Sequence, residues 1–171
     1  MKVFVTGKPG VGKTTLIKRL YSLDPDRFRG FWTEEIRERG RRVGFKVITT
    51  EGKEGILAHV DFESPYRVGK YRVNVRGFEE VVVPILESCL PLCPEIVLVD
   101  EIGKMELFSD RFVRVVEGIA FRRNIRVLAT VPIKDVHPLV RRIRRTFRPI
   151  LITLENREEL FYELAERIGL V

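Results

Sequence analysis

The sequence predicts an α/β fold, a mostly parallel sheet in three layers with helices on both faces. Three observations carry that reading. Continuous apolar runs of strand length alternate with stripes at helical spacing. A glycine-rich loop ending in Lys-Thr joins the first such run to the first such stripe. A second apolar run, Ile96 to Val99, leads straight into two acids, the pattern of a strand buried on both faces.

Taken in order, Lys2 to Thr6 reads as a short buried strand, and Leu16, Ile17, Leu20 and Leu23 mark one face of a helix from Thr14 to Leu23. The stretch DPDRFRG breaks that helix. Two β-rich stretches, 31–37 and 43–50, flank a charged turn at Arg39-Gly40-Arg41 and predict a β-hairpin. GILAHVDF and YRVNV are two further strand candidates, so the region 30–76 is expected to be an antiparallel elaboration at an edge of the sheet. From Phe78 to Glu87 a helical stripe resumes, with Pro84 expected to kink it. Ser109 is placed to cap a helix that turns Phe112, Val115, Val116 and Ile119 inward. IRVLAT predicts another buried strand, Val136, Leu139, Val140 and Ile143 a helical stripe, and PILITL a last strand. Asn156 with Glu159 three residues on has the form of a capping box, opening a helix on Leu160, Leu164 and Ile168. No linker or repeat divides the 171 residues, so one domain is expected.

Composition narrows the function classes. No apolar run nears the roughly 20 residues that span a bilayer, and the first residues lack a signal-peptide pattern, so a cytoplasmic protein without membrane attachment is expected. Cys89 and Cys93 are the only cysteines, and His59 and His137 lie in unrelated segments, which argues for buried inert thiols over a metal site. The formal net charge of +7 suits a polyanion or a polyphosphate ligand. The chain has no Gln and three Asn among abundant Arg, Lys and Glu, a bias shared with thermophile proteins.

The loop Gly7-Lys8-Pro9-Gly10-Val11-Gly12-Lys13-Thr14 fits G-x-x-x-x-G-K-[ST] without a mismatch. Glycines let backbone N–H groups converge on phosphate oxygens, and the following helix adds the positive end of its dipole. In that arrangement Lys13 reaches the β- and γ-phosphates and the Thr14 hydroxyl joins the shell of Mg²⁺. Asp100 ends the strand Ile96-Val97-Leu98-Val99 in the manner of a Walker B acid and is the second metal candidate. Glu101 is the candidate that orients or deprotonates the attacking water, an arrangement recurring in P-loop ATPases that carry an extra strand between the loop strand and the Walker B strand. No N-K-x-D guanine-reading signature occurs, so a dedicated GTPase is not expected.

At this point the segments GKPGVGKTTL, GFWTEEIR, GFKVITTEGK, VNVRGFEEVVVPIL, VLVDEIGKMELFS and VPIKDVHPLVRRIR resemble, in order, the THEP-type or cancer-related nucleoside-triphosphatases, over about residues 1–155. The resemblance implies a RecA-like P-loop core that hydrolyses ATP, GTP, CTP, UTP and TTP with little base preference. It also implies nucleotide contacts along Gly7 to Thr14 and along Ile96-Val97-Leu98-Val99-Asp100-Glu101-Ile102-Gly103. Two alternatives stay open, a small-molecule kinase and a nucleic-acid-associated NTPase.

Several residues have competing readings. Trp32 could stack on a base but reads more readily as a hairpin anchor; Glu34 and Glu35 have no assigned role. Thr130 could sense the γ-phosphate, and Lys104 could add a cation there. Lys8 is expected to face solvent, and His137 to be structural. Between Arg122 and Arg148 lie nine basic residues and one acid, Asp135. They could form a solvated face, supply an arginine finger or bind nucleic acid. Oligomeric state is not legible.

Overall fold

The computed structural model describes residues 1–171, with a single nine-stranded sheet as its spine. Strand β1 spans Lys2–Gly7, followed by α1, Lys13–Leu23. Next come β2 (Phe28–Glu38), β3 (Arg41–Thr49), β4 (Glu54–His59), β5 (Arg67–Val68) and β6 (Tyr71–Val73). Helix α2 is Val75–Glu87, β7 is Ile96–Val99 and α3 is Asp110–Ala120. The chain closes with β8 (Val127–Pro132), α4 (Pro138–Phe147), β9 (Ile150–Leu151) and α5 (Arg157–Ile168).

Across the sheet the order is β5-β6-β4-β3-β2-β7-β8-β1-β9. The pairs β2–β7, β7–β8, β8–β1 and β1–β9 are parallel, and the remaining pairs are antiparallel. Strand β8 thus lies between the loop strand and the acid-bearing strand, the extra strand that Glu101 led us to expect. The hairpin is also where expected, with Arg39 and Gly40 at its turn. Its first arm goes further than an edge elaboration, because Phe28 to Phe31 pair with Ile96 to Val99 inside the parallel sheet. That pairing depends on Gly30: a Cβ there would stand 1.9 Å from the Leu98 carbonyl oxygen.

Two apolar clusters, of 30 and 16 buried residues, form the core. The larger holds Phe78, Val82 and Leu86 of α2, Phe112, Val116 and Ile119 of α3, and Leu139, Val140 and Ile143 of α4. The smaller packs Leu16, Ile17 and Leu20 of α1 with Leu160, Leu164 and Ile168 of α5. Side chains alternate along each strand, so Phe4 serves one cluster while Val3 and Val5 serve the other. This is the expected three-layer arrangement. No helix is long and apolar enough to cross a membrane.

Four local expectations need correction. Helix α2 starts at Val75, which had been assigned to a strand, because the Asn74 side chain accepts from Gly77 N and caps it. The helix runs on past Pro84, which lies on its exposed face, to Glu87. Val136 precedes α4 and is 37% exposed, so it is not part of the buried stripe. The last strand shrinks from PILITL to Ile150–Leu151, and Asn156 makes no cap bond. Its side chain bonds the loop behind it instead, accepting from Thr153 N at 2.7 Å and donating to Leu151 O at 2.9 Å.

Candidate active site

The phosphate loop rises from β1 and ends at the first turn of α1. Gly10 and Gly12 have φ of 78° and 110°, a left-handed backbone that a side chain disfavours. Gly7 answers to space instead: a Cβ would meet Ile152 O at 2.8 Å. Lys8, Pro9 and Gly10 are exposed, Val11 is buried beneath the loop, and Lys8 faces solvent as expected. Lys13 Nζ donates to Gly7 O at 2.7 Å, which folds the ammonium back over the loop's mouth.

Asp100 is 1% exposed and is the hub of the site. Its Oδ2 accepts from Thr14 Oγ1 at 2.8 Å and lies 3.3 Å from Thr33 N and 3.4 Å from Thr33 Oγ1. Oδ1 accepts from Thr130 Oγ1 at 2.6 Å. Four elements therefore meet on one carboxylate: α1, β2, β7 and β8. Burial pushes the Asp100 carboxyl up, against the pull of the Thr130 and Thr14 hydrogen bonds. Three hydroxyls and an amide surround it, with no cation at hydrogen-bond distance.

Glu101 follows, and the Asp100–Glu101 peptide is cis. Burial, opposed by the Lys13 ammonium, raises its carboxyl to about 7. Glu106, in a 3₁₀ turn at Glu106–Phe108, is 5% exposed and lies beside it. The two acids flank Gly103, where a Cβ would stand 3.0 Å from Glu106 Oε1 and 3.3 Å from Glu101 Cδ. Burial, then the charge of Glu101, holds Glu106 well above the usual carboxylate range.

Not every candidate gathers here. Ile96, Val97, Leu98 and Val99 are buried in the sheet, where they fix the height at which Asp100 emerges. Ile102 and Gly103 are buried too, Ile102 in the larger core. Lys104 is exposed and makes no hydrogen bond or ion pair. Trp32 is an anchor: it packs on Tyr21 with ring centroids 5.0 Å apart and donates to Glu34 Oε1. Glu34 pairs with Lys18 on α1 at 2.6 Å, and Glu35 pairs with Arg37 and Arg42 within the hairpin. His137 is structural as expected, accepting from Leu139 N at the start of α4. Cys89 and Cys93 are free and buried, and burial pushes both thiols up.

Three of the nine basic residues of the stretch are paired with acids. Arg141 and Arg144 engage Asp135, and Arg142 engages Glu117. Arg144 also donates to Pro132 O at 3.1 Å and lies 3.4 Å from Thr6 Oγ1, at the root of the phosphate loop. Sequence reasoning missed Thr33 and Glu106 as members of the site. Both lie inside the distinctive segments GFWTEE and DEIGKMEL, which was the one signal available.

The chain is similar to known proteins over nearly its whole length. A family model described as NTPase matches residues 2–165. The nucleoside-triphosphatase THEP1 of Aquifex aeolicus is 47% identical, over 96% of this chain and 97% of that protein. Human cancer-related nucleoside-triphosphatase is 37% identical, over 95% of this chain and 93% of that protein. The crystal structure of the Aquifex aeolicus protein superposes with a TM-score of 0.88, covering 96% of each chain. The solution structure of the human protein gives 0.79, covering 98% of this chain and 96% of that one.

Proposed function

The chain belongs to this NTPase family and is a nucleoside-triphosphatase, and on that premise we propose that it cleaves ATP, GTP, CTP, UTP and TTP to the diphosphate and phosphate, with Mg²⁺ and little regard to the base. The observation that supports this most is the meeting of Thr14, Asp100 and Glu101 at the mouth of the phosphate loop.

A divalent cation fits the donors present. Asp100 is a buried carboxylate whose neighbours are hydroxyls and an amide, so its charge has no compensating partner in hydrogen-bond reach. Thr14 and Asp100 would hold Mg²⁺, which when bound neutralises charge on the phosphates. The chain's own groups do the rest. Backbone N–H groups of Gly10 to Thr14 grip the phosphates. Lys13 leaves the Gly7 carbonyl for the transferring phosphoryl group and stabilises its charge. Glu101, with its carboxyl near 7, accepts a proton from water or orients it for in-line attack. Thr33 and Thr130 fix the direction of Asp100. Phosphoryl transfer asks mainly for such positioning.

A hydrolase should release phosphate from ATP with no other acceptor present. Lys13→Ala should abolish that release, and a wild-type rate no higher than this variant's would return the reading to a kinase.

A further inference from the structure

The two ends of a nucleoside triphosphate must lie on opposite flanks of the loop. Strand β1 has β8 on one side and β9 on the other, and the acids Asp100 and Glu101 emerge beyond β8. A triphosphate whose terminal phosphate faces those acids therefore carries its nucleoside toward β9 and the loop 152–157 that leads into α5. That loop touches the phosphate loop in two places. Gly7 abuts Ile152, and a Cβ on Gly12 would stand 3.6 Å from Arg157 Nη1 and 3.8 Å from Arg157 Cδ. Arg157 is exposed and makes no ion pair or side-chain hydrogen bond, so its guanidinium plane is free beside Gly12. Three residues away, Leu154 is 64% exposed, an apolar side chain with no core to join.

We propose that Arg157 and Leu154 form the nucleoside subsite, holding the base by its faces. This rests on the triphosphatase reading and gives it a structural cause. Two polar side chains of the loop are turned back onto the loop itself. Asn156 uses its oxygen on Thr153 N and its amide nitrogen on Leu151 O, while Thr153 Oγ1 accepts from Asn156 N. Beside Gly12 the loop presents a planar cation, and three residues away an aliphatic surface. Both suit any base, because every base presents a π-face. Base indifference follows from a platform that meets the base by its faces.

Calorimetric titration of ATP, GTP and inorganic tripolyphosphate, each with Mg²⁺, into wild type, Arg157→Ala and Arg157→Lys tests this. The tripolyphosphate separates phosphate contacts from nucleoside contacts. Wild type should bind ATP and GTP alike and both more tightly than tripolyphosphate. Arg157→Ala should weaken ATP and GTP about tenfold, the scale of a lost cation–π contact. Arg157→Lys, which keeps charge and loses the plane, should weaken the nucleotides several-fold and leave tripolyphosphate within about twofold of wild type. Equal losses for nucleotide and tripolyphosphate would make Arg157 a phosphate ligand and overturn the subsite. Unchanged nucleotide affinity in both variants would overturn it as well, with hydrolysis intact. Wild type that binds neither ATP nor tripolyphosphate would instead bring down the phosphate-loop reading beneath it.

Discussion

Replacing Glu101 with Gln should stabilise the resting protein while stopping turnover. The folded carboxyl is raised from 4.5 to about 7, chiefly by burial. A raised acid binds more protons folded than unfolded between those two values, so stability falls as pH rises through that window. The shift corresponds to roughly 3 kcal/mol, fully expressed by about pH 8 and nearly absent at about pH 4.5. Gln keeps the shape and carries no charge, so Glu101→Gln should exceed wild type by up to about 3 kcal/mol at pH 8 and by little at pH 4.5. Urea unfolding of both proteins across that range, without nucleotide or Mg²⁺, reads the difference; titrating groups remote from Glu101 cancel in it, while Glu106, which the Glu101 charge pushes up, does not. Turnover should meanwhile drop at least about a hundredfold with nucleotide affinity retained, and wild-type kcat should climb as pH passes about 7. A difference in stability that does not vary with pH would refute the buried-charge argument. Normal turnover in the variant would refute the role in water activation.

Two further substitutions probe the frame around the acids. Gly30→Ala would drive a methyl group into the Leu98 carbonyl, a backbone clash that no rotamer relieves, and should cost about 3 kcal/mol or more by thermal unfolding. Thr130→Val removes the 2.6 Å hydrogen bond to Asp100 Oδ1 with little change of shape; it should raise the Mg²⁺ concentration needed for half-maximal rate several-fold while leaving the rate at saturating Mg²⁺ closer to wild type.

The parts legible in the sequence were those whose cause is local. Alternation and apolar runs fixed β1, β7, β8 and the helices, and the phosphate loop declared itself by spacing because each glycine there meets a backbone demand. Ser109 was read correctly as a cap since its bond to Phe112 N spans three residues. Asn156 looked the same and was not, because the partners it chose, Thr153 and Leu151, lie behind it. Strand β2 was placed at an edge because nothing local says that Phe28 to Phe31 pair with a strand some 68 residues later. Thr33 and Glu106 were invisible for the same reason: a threonine in a strand and a glutamate in a turn are ordinary until the fold carries them to Asp100 and Glu101.

The threonines around Asp100 have one more consequence. A hydroxyl both gives and takes a hydrogen bond and turns about a single bond at small cost, whereas a lysine or arginine in its place would lock the acid into a fixed ion pair. Thr14, Thr33 and Thr130 come from three different elements. Releasing any one of those hydroxyls from the acid asks only for the swivel of a small side chain and requires no strand or helix to move.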